Sequence, residues 1–215
     1  MKRSQQQLDP KHLRLAAQLS ARAFDTDPFF RYLLPNDGLR VALLGEIMQA
    51  LMAPLTPLGG TYAHASAPAL GGVLCVERWE KRATGLGYVR SFTLAAMAMV
   101  MPFVRAGVSV EELRRLKNGL QALSQIQGLH PREPHDYVAI LTVDPSVQRG
   151  GIGRTLLSAF LAESDTRSRP VHLETSQPDN VGYYQRFGFQ VVHELSIADA
   201  PPLWIMTRPA SVSFA

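Results

Sequence analysis

Gln148-Arg149-Gly150-Gly151-Ile152-Gly153 follows an apolar run, Tyr137 to Val143, and a turn at Asp144-Pro145. It leads into a segment whose apolar residues, Ile152, Leu156, Phe160 and Leu161, recur at helical spacing. The first turn of a helix carries N–H groups without internal partners, and its dipole favours an anion there. Glycines let a phosphate come close to the backbone. Gln148, Arg149 and Arg154 add side-chain donors. The chemistry that fits is a pyrophosphate cradle; the plain alternative is an ordinary glycine-rich turn. Two rival phosphate motifs can be checked. A P-loop needs Gly-Lys-Ser/Thr, whereas Gly153 is followed by Arg154-Thr155. A dinucleotide fold wants an acidic residue about 20 positions on. Glu174 meets that spacing, but the motif lies too late in the chain to leave room for a full dinucleotide domain.

Other residues could do chemistry nearby. Glu174 alternates with Leu173, so on a strand it faces away from that residue and shares a face with His172. His130 and His135 flank Pro/Glu turn material and have no metal-ligand spacing with another His or Cys, so no metal is expected. Cys75 is the one cysteine and sits in an apolar run, where a buried thiol in a reducing compartment is expected.

These residues need elements to hold them. Asp9-Pro10 reads as an N-cap with proline at the first helical position, ahead of a helix carrying Leu13, Ala16, Ala17 and Phe24. Asp25-Thr26-Asp27-Pro28 breaks it, Phe29, Phe30 and Leu33 form a short apolar turn, and a second helix covers Leu39 to Ala53. Thr61 to Ala65 and Val73 to Trp79 read as strands. A helix is expected over Leu86 to Met101, and another after the capping-box spacing Ser109 to Glu112, with Leu113, Leu116, Leu120 and Leu123. Beyond a loop at Gly128 to Pro134 come a strand (Tyr137 to Val143), a helix (Gly150 to Glu163), a strand (Val171 to Thr175), a short helix (Asn180 to Phe187) and strands at Phe189 to Leu195 and Pro202 to Arg208. That alternation predicts a mixed α/β sheet with helices packed on it.

The 215 residues, 46% of them hydrophobic, suit a single domain over 1–215. The net charge of +4 is unevenly spread. Residues 1–107 carry twelve Lys and Arg against seven Asp and Glu; residues 108–215 carry ten against eleven. No basic stripe forms, so nucleic acid is not an expected partner. Ser4-Gln5-Gln6-Gln7 stands where a signal peptide needs apolar residues. The apolar stretch Leu94 to Val104 is shorter than the ~20 residues a membrane span needs, and Pro102 interrupts it. A soluble, cytoplasmic protein is expected, with no membrane partner.

The cradle residues, with Gln148 and Arg149 leading Gly151 and Gly153, resemble the Gln/Arg-x-x-Gly-x-Gly/Ala signature of the GCN5-related N-acetyltransferases (GNAT). Asn180-Val181-Gly182-Tyr183-Tyr184-Gln185-Arg186-Phe187-Gly188-Phe189 resembles the later segment of the same superfamily, where a tyrosine precedes Gly-Phe by four residues. Within it, His130 to Tyr137, Leu173-Glu174-Thr175-Ser176 and Pro202 to Arg208 are similar to small-molecule enzymes of the puromycin N-acetyltransferase kind. The likeness is strong over 128–209 and weak over 1–127.

The resemblance implies an α+β, mostly antiparallel GNAT-like sheet flanked by helices, with a splay between two central strands. It divides the domain into an acceptor-shaping part, 1–127, and an acetyl-CoA-binding core, 128–209. It implies a transferase acetylating a primary amine of a small molecule by direct attack. A protein or peptide acceptor, or a non-catalytic acyl-CoA sensor, are the alternatives. Acetyl-CoA would pair with the backbone of Leu141, Thr142 and Val143 and sit on Gln148, Arg149, Gly150, Gly151, Ile152, Gly153 and Arg154. Asn180 would cap its helix and could touch the donor. Tyr184 matches the tyrosine that protonates the departing thiolate, with core packing as its alternative role. Glu174 is the candidate base, with backbone anchoring at the splay as its alternative. Asp25, Asp27 and Phe29 would line the acceptor side or simply end a helix. The partners expected are acetyl-CoA and an amine acceptor, for a monomer or a homodimer.

Overall fold

Short polar side chains start most of the helices. In the computed structural model, which describes residues 5–66, 69–80, 97, 100 and 109–210, Asp9 accepts from the Lys11 N–H and opens a 3-10 turn that runs into α1, Leu13–Ala23. Asp27 accepts from the Phe29 and Phe30 N–H groups and caps α2, Pro28–Leu33. Asn36 caps α3, Asp37–Met52. Ser109 and Glu112 satisfy each other's backbone reciprocally at the start of α4, Val110–Leu129. Two further helices follow, α5 at Ile152–Thr166 and α6 at Pro178–Gln185.

Among the described residues the seven strands are β1 (Gln5–Gln7), β2 (Thr61–Ser66), β3 (Ala69–Trp79), β4 (His135–Val143), β5 (Val171–Thr175), β6 (Gln190–Leu195) and β7 (Leu203–Arg208). They form one sheet in the order β1-β2-β3-β4-β5-β7-β6. Every neighbouring pair is antiparallel except β4 with β5. The result is a mixed sheet flanked by helices, as the alternation of elements predicts, and mostly antiparallel, as the resemblance implies.

Two irregularities of β4 shape the centre. Cys75 is opposite Ile140 and Val76 opposite Val138, so Ala139 has no partner on β3 and forms a bulge. The bulge flips the alternation of side chains. Tyr137, Ile140 and Thr142 face α1, α3 and α4, while Val138, Leu141 and Val143 pack with α5. Secondly, the ladder between β4 and β5 is only two residues deep, Asp136 opposite Val171 and Tyr137 opposite His172. Beyond Tyr137 the strands part, which leaves the β5-facing edge of Leu141 to Val143 outside the ladder.

Apolar side chains fill both faces. Leu44, Ile47, Met48 and Met52 of α3 join Ala16, Ala17 and Leu19 of α1 against Val73, Cys75 and Ile140. Leu156, Leu157 and Phe160 of α5 pack with Leu74, Leu173, Tyr184 and Phe189 on the other side. Burying side chains of this size contributes roughly 1.5–3 kcal/mol each. The α3 stretch, 37–58, is also long and apolar enough to cross a membrane, and four of its residues belong to this core.

The closed end of the β4–β5 pair is held by charge. Asp136 is fully buried, accepts from Ser164 Oγ at 2.7 Å and from Arg167 at 3.1 Å, and lies 2.9 Å from Arg169 Nε. The last approach is an ion-pair contact without hydrogen-bond alignment.

Several boundaries differ from those expected. The residues 5–7 form an edge strand on β2, which three glutamines give no apolar pattern to announce. Phe29 to Leu33 is a full helical turn, because Asp27 caps it. The loop expected over Gly128 to Pro134 is confined to 130–134, because α4 runs on to Leu129, and β4 begins two residues early. The cradle helix begins at Ile152 rather than Gly150, because Gly151 has φ +82° and ends the turn. Asn180 does not cap α6. That helix starts at Pro178 after Gln177, and Asn180 sits in its first turn, donating from Nδ2 to Thr175 Oγ1 at 3.3 Å. The helix expected over 86–101 lies almost wholly outside the described residues; Met97 and Val100 are helical.

Candidate active site

A cleft of about 600 Å³ opens where β4 and β5 part. Its lining includes Leu141, Thr142, Val143, Gln148, Arg149, Gly151, Ile152, Gly153, Arg154, Asn180 and Tyr184, drawn from the strand, the glycine turn and α6. Gly150 is in the turn but outside the lining; a Cβ there would come to 3.3 Å from the Val147 carbonyl. Glu174 is also outside the lining.

The turn is built for close approach. Asp144 accepts from Ser146 N–H at 3.0 Å and caps a 3-10 turn at Pro145–Val147. Arg22 of α1 pairs with Asp144 at 2.5 Å and, with the Ser146 hydrogen bonds, holds its carboxyl down to about 2. Arg149 then adopts φ +65°, a left-handed conformation that strains a non-glycine residue, and Gly151 follows at +82°. The two positive φ values turn the chain so that α5 starts with its free N–H groups at the cleft. Space above Gly151 is open, whereas a Cβ at Gly153 would meet Tyr183 Oη and Val143 at 3.3 Å. Arg149, Arg154 and Arg186 supply positive charge along this wall. An extended amide-bearing arm can pair with the free β4 edge and end in an anion on this turn. Acetyl-CoA has that shape and charge, and the residues present fit it.

The tyrosines of α6 divide the work. Tyr183 lies against the first turn of α5, with Arg186 5.6 Å from its ring centroid. Tyr184 is 8% exposed and packs on Phe189, with ring centroids 5.7 Å apart. Burial, with Tyr183 and Glu174 beside it, pushes its phenol well above the ordinary value. It therefore stays protonated at any working pH.

At the opposite end, Asp27 lines the cleft with Phe24 and Thr26. Besides capping α2 it accepts from Ser176 Oγ at 2.7 Å. Burial outweighs these hydrogen bonds and raises its carboxyl. Asp25, by contrast, is turned to Arg40, which it meets at 2.8 Å, and Phe29 packs into the core under α4. Of those three residues, Asp27 alone reaches the cleft.

Glu174 stands behind the cleft, on the sheet face opposite Leu173 and Tyr184. Tyr137 Oη donates to its Oε1 at 2.5 Å. Its Oε2 is sealed from solvent and has no hydrogen-bond partner among the described residues. Burial, with the Glu77 carboxylate nearby, pushes Glu174 up to about 7 against the Tyr137 hydrogen bond. The surroundings are aromatic and imidazole. His130 stacks on Trp79 at 4.4 Å and contacts Tyr137 and His172. His135 Nδ1 donates to the Glu133 carbonyl, so its Nε2 is the acceptor for His130 Nδ1, 3.0 Å away. Burial lowers His172 to about 4, so it is neutral at physiological pH. Sequence spacing separates these histidines; the two-residue parallel register of β4 and β5 brings them together. Among the described residues they make no cluster able to hold a metal. Tyr137 and Tyr183 escape a motif-based reading because their partners lie 37 positions away or on another element.

Comparison with known proteins agrees with this geometry. Residues 120–206 match the family model described as acetyltransferase (GNAT) domain. A Corynebacterium glutamicum structure described as histone acetyltransferase HPA2 and related acetyltransferase superposes with TM-score 0.70 at 17% identity, over 100% of both chains. Arylalkylamine N-acetyltransferase 2 from Aedes aegypti gives 0.65 at 10% identity, over 96% of this chain and 98% of that one. The ribosomal-protein-S18-alanine N-acetyltransferase from Escherichia coli gives 0.50 at 15% identity, over 97% and 94%. At these identities the likeness is one of fold. With the matched segment spanning the glycine turn, the parted strands and both tyrosines, residues 120–206 carry this chain's likeness to the GNAT acetyltransferase domain.

Proposed function

We propose that the protein moves the acetyl group of acetyl-CoA onto a primary amine of a small molecule. The observation that carries this reading is the opening between β4 and β5. One wall presents an anion-binding turn and an unpaired strand edge. The other end presents Asp27 and, behind the cleft, Glu174, which suit a cationic amine.

The amine must be neutral to attack. Glu174, held near neutrality, accepts the ammonium proton, directly or through water. The amine nitrogen then forms its bond to the thioester carbon while a backbone N–H of β4 polarises the carbonyl oxygen. As the C–S bond breaks, Tyr184 gives its proton to the departing sulfur, and the surplus proton on the new amide nitrogen restores the phenol through water. A phenol kept protonated by burial suits that step.

Thiol release from acetyl-CoA, followed across a panel of small amines with short peptides in parallel, tests the reading. Release with at least one small amine is expected. CoA binding without release from any acceptor would mean a sensor, and release with peptides alone would move the acceptor to proteins.

A further inference from the structure

We propose that Tyr137 is the positioning residue of the proton-accepting carboxyl: its phenol holds Glu174 Oε1 in place and keeps the carboxylate form accessible in a site that offers no counter-ion. The inference rests on the reading of Glu174 as the base.

The geometry gives Tyr137 this task and little else. Tyr137 is the last β4 residue in the ladder with β5 and sits opposite His172. Its side chain points along the same face as Glu174, two residues further along β5, and reaches it at 2.5 Å. The groups around Glu174 come from every adjoining element. Glu77 on β3 is a like charge, itself occupied by Trp79 Nε1 at 2.9 Å. His172 on β5 is neutral and engaged with Thr207 Oγ1 at 2.9 Å. His130, after α4, packs edge-on to Tyr137, and Tyr184 on α6 is a protonated phenol. No arginine or lysine among the described residues reaches the carboxyl. Burial and Glu77 both favour its protonated form. The Tyr137 hydrogen bond is the interaction that favours the anion, and without it the carboxyl would stay protonated through neutral pH. A base trapped as its acid cannot take a proton from an ammonium group.

The proposal makes Tyr137 act through Glu174 and not on substrate. Its removal should therefore change the pH dependence of the reaction and leave donor binding alone. In the free protein, the Glu174 carboxyl stretch can be titrated by infrared difference spectroscopy, with Glu174→Gln identifying the band. Tyr137→Phe should shift that titration upward by about one to two pH units, the effect of losing a hydrogen bond to a charged group. With an amine that turns over, the acidic limb of kcat/KM should move by the same amount. The rate should recover at alkaline pH, with acetyl-CoA affinity unchanged by calorimetry.

A loss of rate that is uniform across pH, with an unmoved carboxyl titration, would make Tyr137 a packing residue and overturn the proposal. A Glu174→Gln variant that keeps the acidic limb would instead remove Glu174 as the base, and Tyr137's role with it. The infrared titration, which needs no acceptor, separates the first failure from the second. Glu174→Asp, whose shorter carboxyl cannot keep the same reach to Tyr137, should itself titrate above its ordinary value as Tyr137→Phe makes Glu174 do, and a further Tyr137→Phe change should then add little.

Discussion

Ser176 Oγ donates to Asp27 Oδ2 at 2.7 Å, which ties the α1–α2 corner to the residue after β5 across the mouth of the cleft. The two residues are 149 positions apart. The bond holds the α1–α2 corner against the end of β5.

Replacing Ser176 by alanine leaves a buried carboxylate oxygen short of a donor. A loss of about 1–3 kcal/mol in unfolding free energy is expected at pH 7. Burial raises the folded Asp27 carboxyl, and Ser176 opposes that rise. The loss should therefore shrink at acid pH, where Asp27 protonates and needs the donor less. Urea unfolding at pH 7 and pH 4.5 checks this; a loss independent of pH would place the effect elsewhere.

Glu174 predicts a pH dependence of stability. Its carboxyl moves from 4.5 to about 7 on folding. Because the folded value is the higher one, the stability it lends is fully present below pH 4.5. That stability is lost as pH rises toward 7, by about 3 kcal/mol in all. Glu174→Gln removes the titration, so the variant should gain on the parent between pH 5 and pH 8. Parallel unfolding curves with a constant offset would contradict the buried, unpaired carboxyl.

Tyr184→Phe keeps the packing on Phe189 and removes one hydroxyl. A fall in kcat of about 10²-fold with unchanged acetyl-CoA affinity is expected for loss of a general acid. Equal rates in the two proteins would leave Tyr184 as part of the core.

Gly151→Ala forces a Cβ into φ +82°, although the space around it is open. The strain is about 1–2 kcal/mol. Acetyl-CoA affinity should fall by roughly tenfold as the turn relaxes. Calorimetry reads the affinity, and thermal unfolding shows how much of the change is strain.

The glycine-turn wall of the cleft was legible in the sequence because it is local. The glycines, Gln148 and Arg149 lie within six residues, and the turn that joins them is encoded by its own backbone preferences. Local signals also marked Asp9 and Ser109 as places where helices start. The Asp27 and Glu174 end depends on contacts made across the sheet. Nothing near Tyr137 announces that it meets Glu174, since that contact needs the register of two parallel strands. Asn180 read as a cap because asparagine favours that role, but Pro178 starts the helix earlier and frees Asn180 to meet Thr175. The β1 edge carried no apolar alternation, since backbone pairing with β2 holds it in place.

Ala139 belongs to the same account. Val138 and Ile140 face opposite sides although they share parity, so the residue between them is an insertion in the strand's rhythm. Deleting it would leave every neighbour on its present side and remove only the kink. A single residue thus separates the kinked central strand from a regular one.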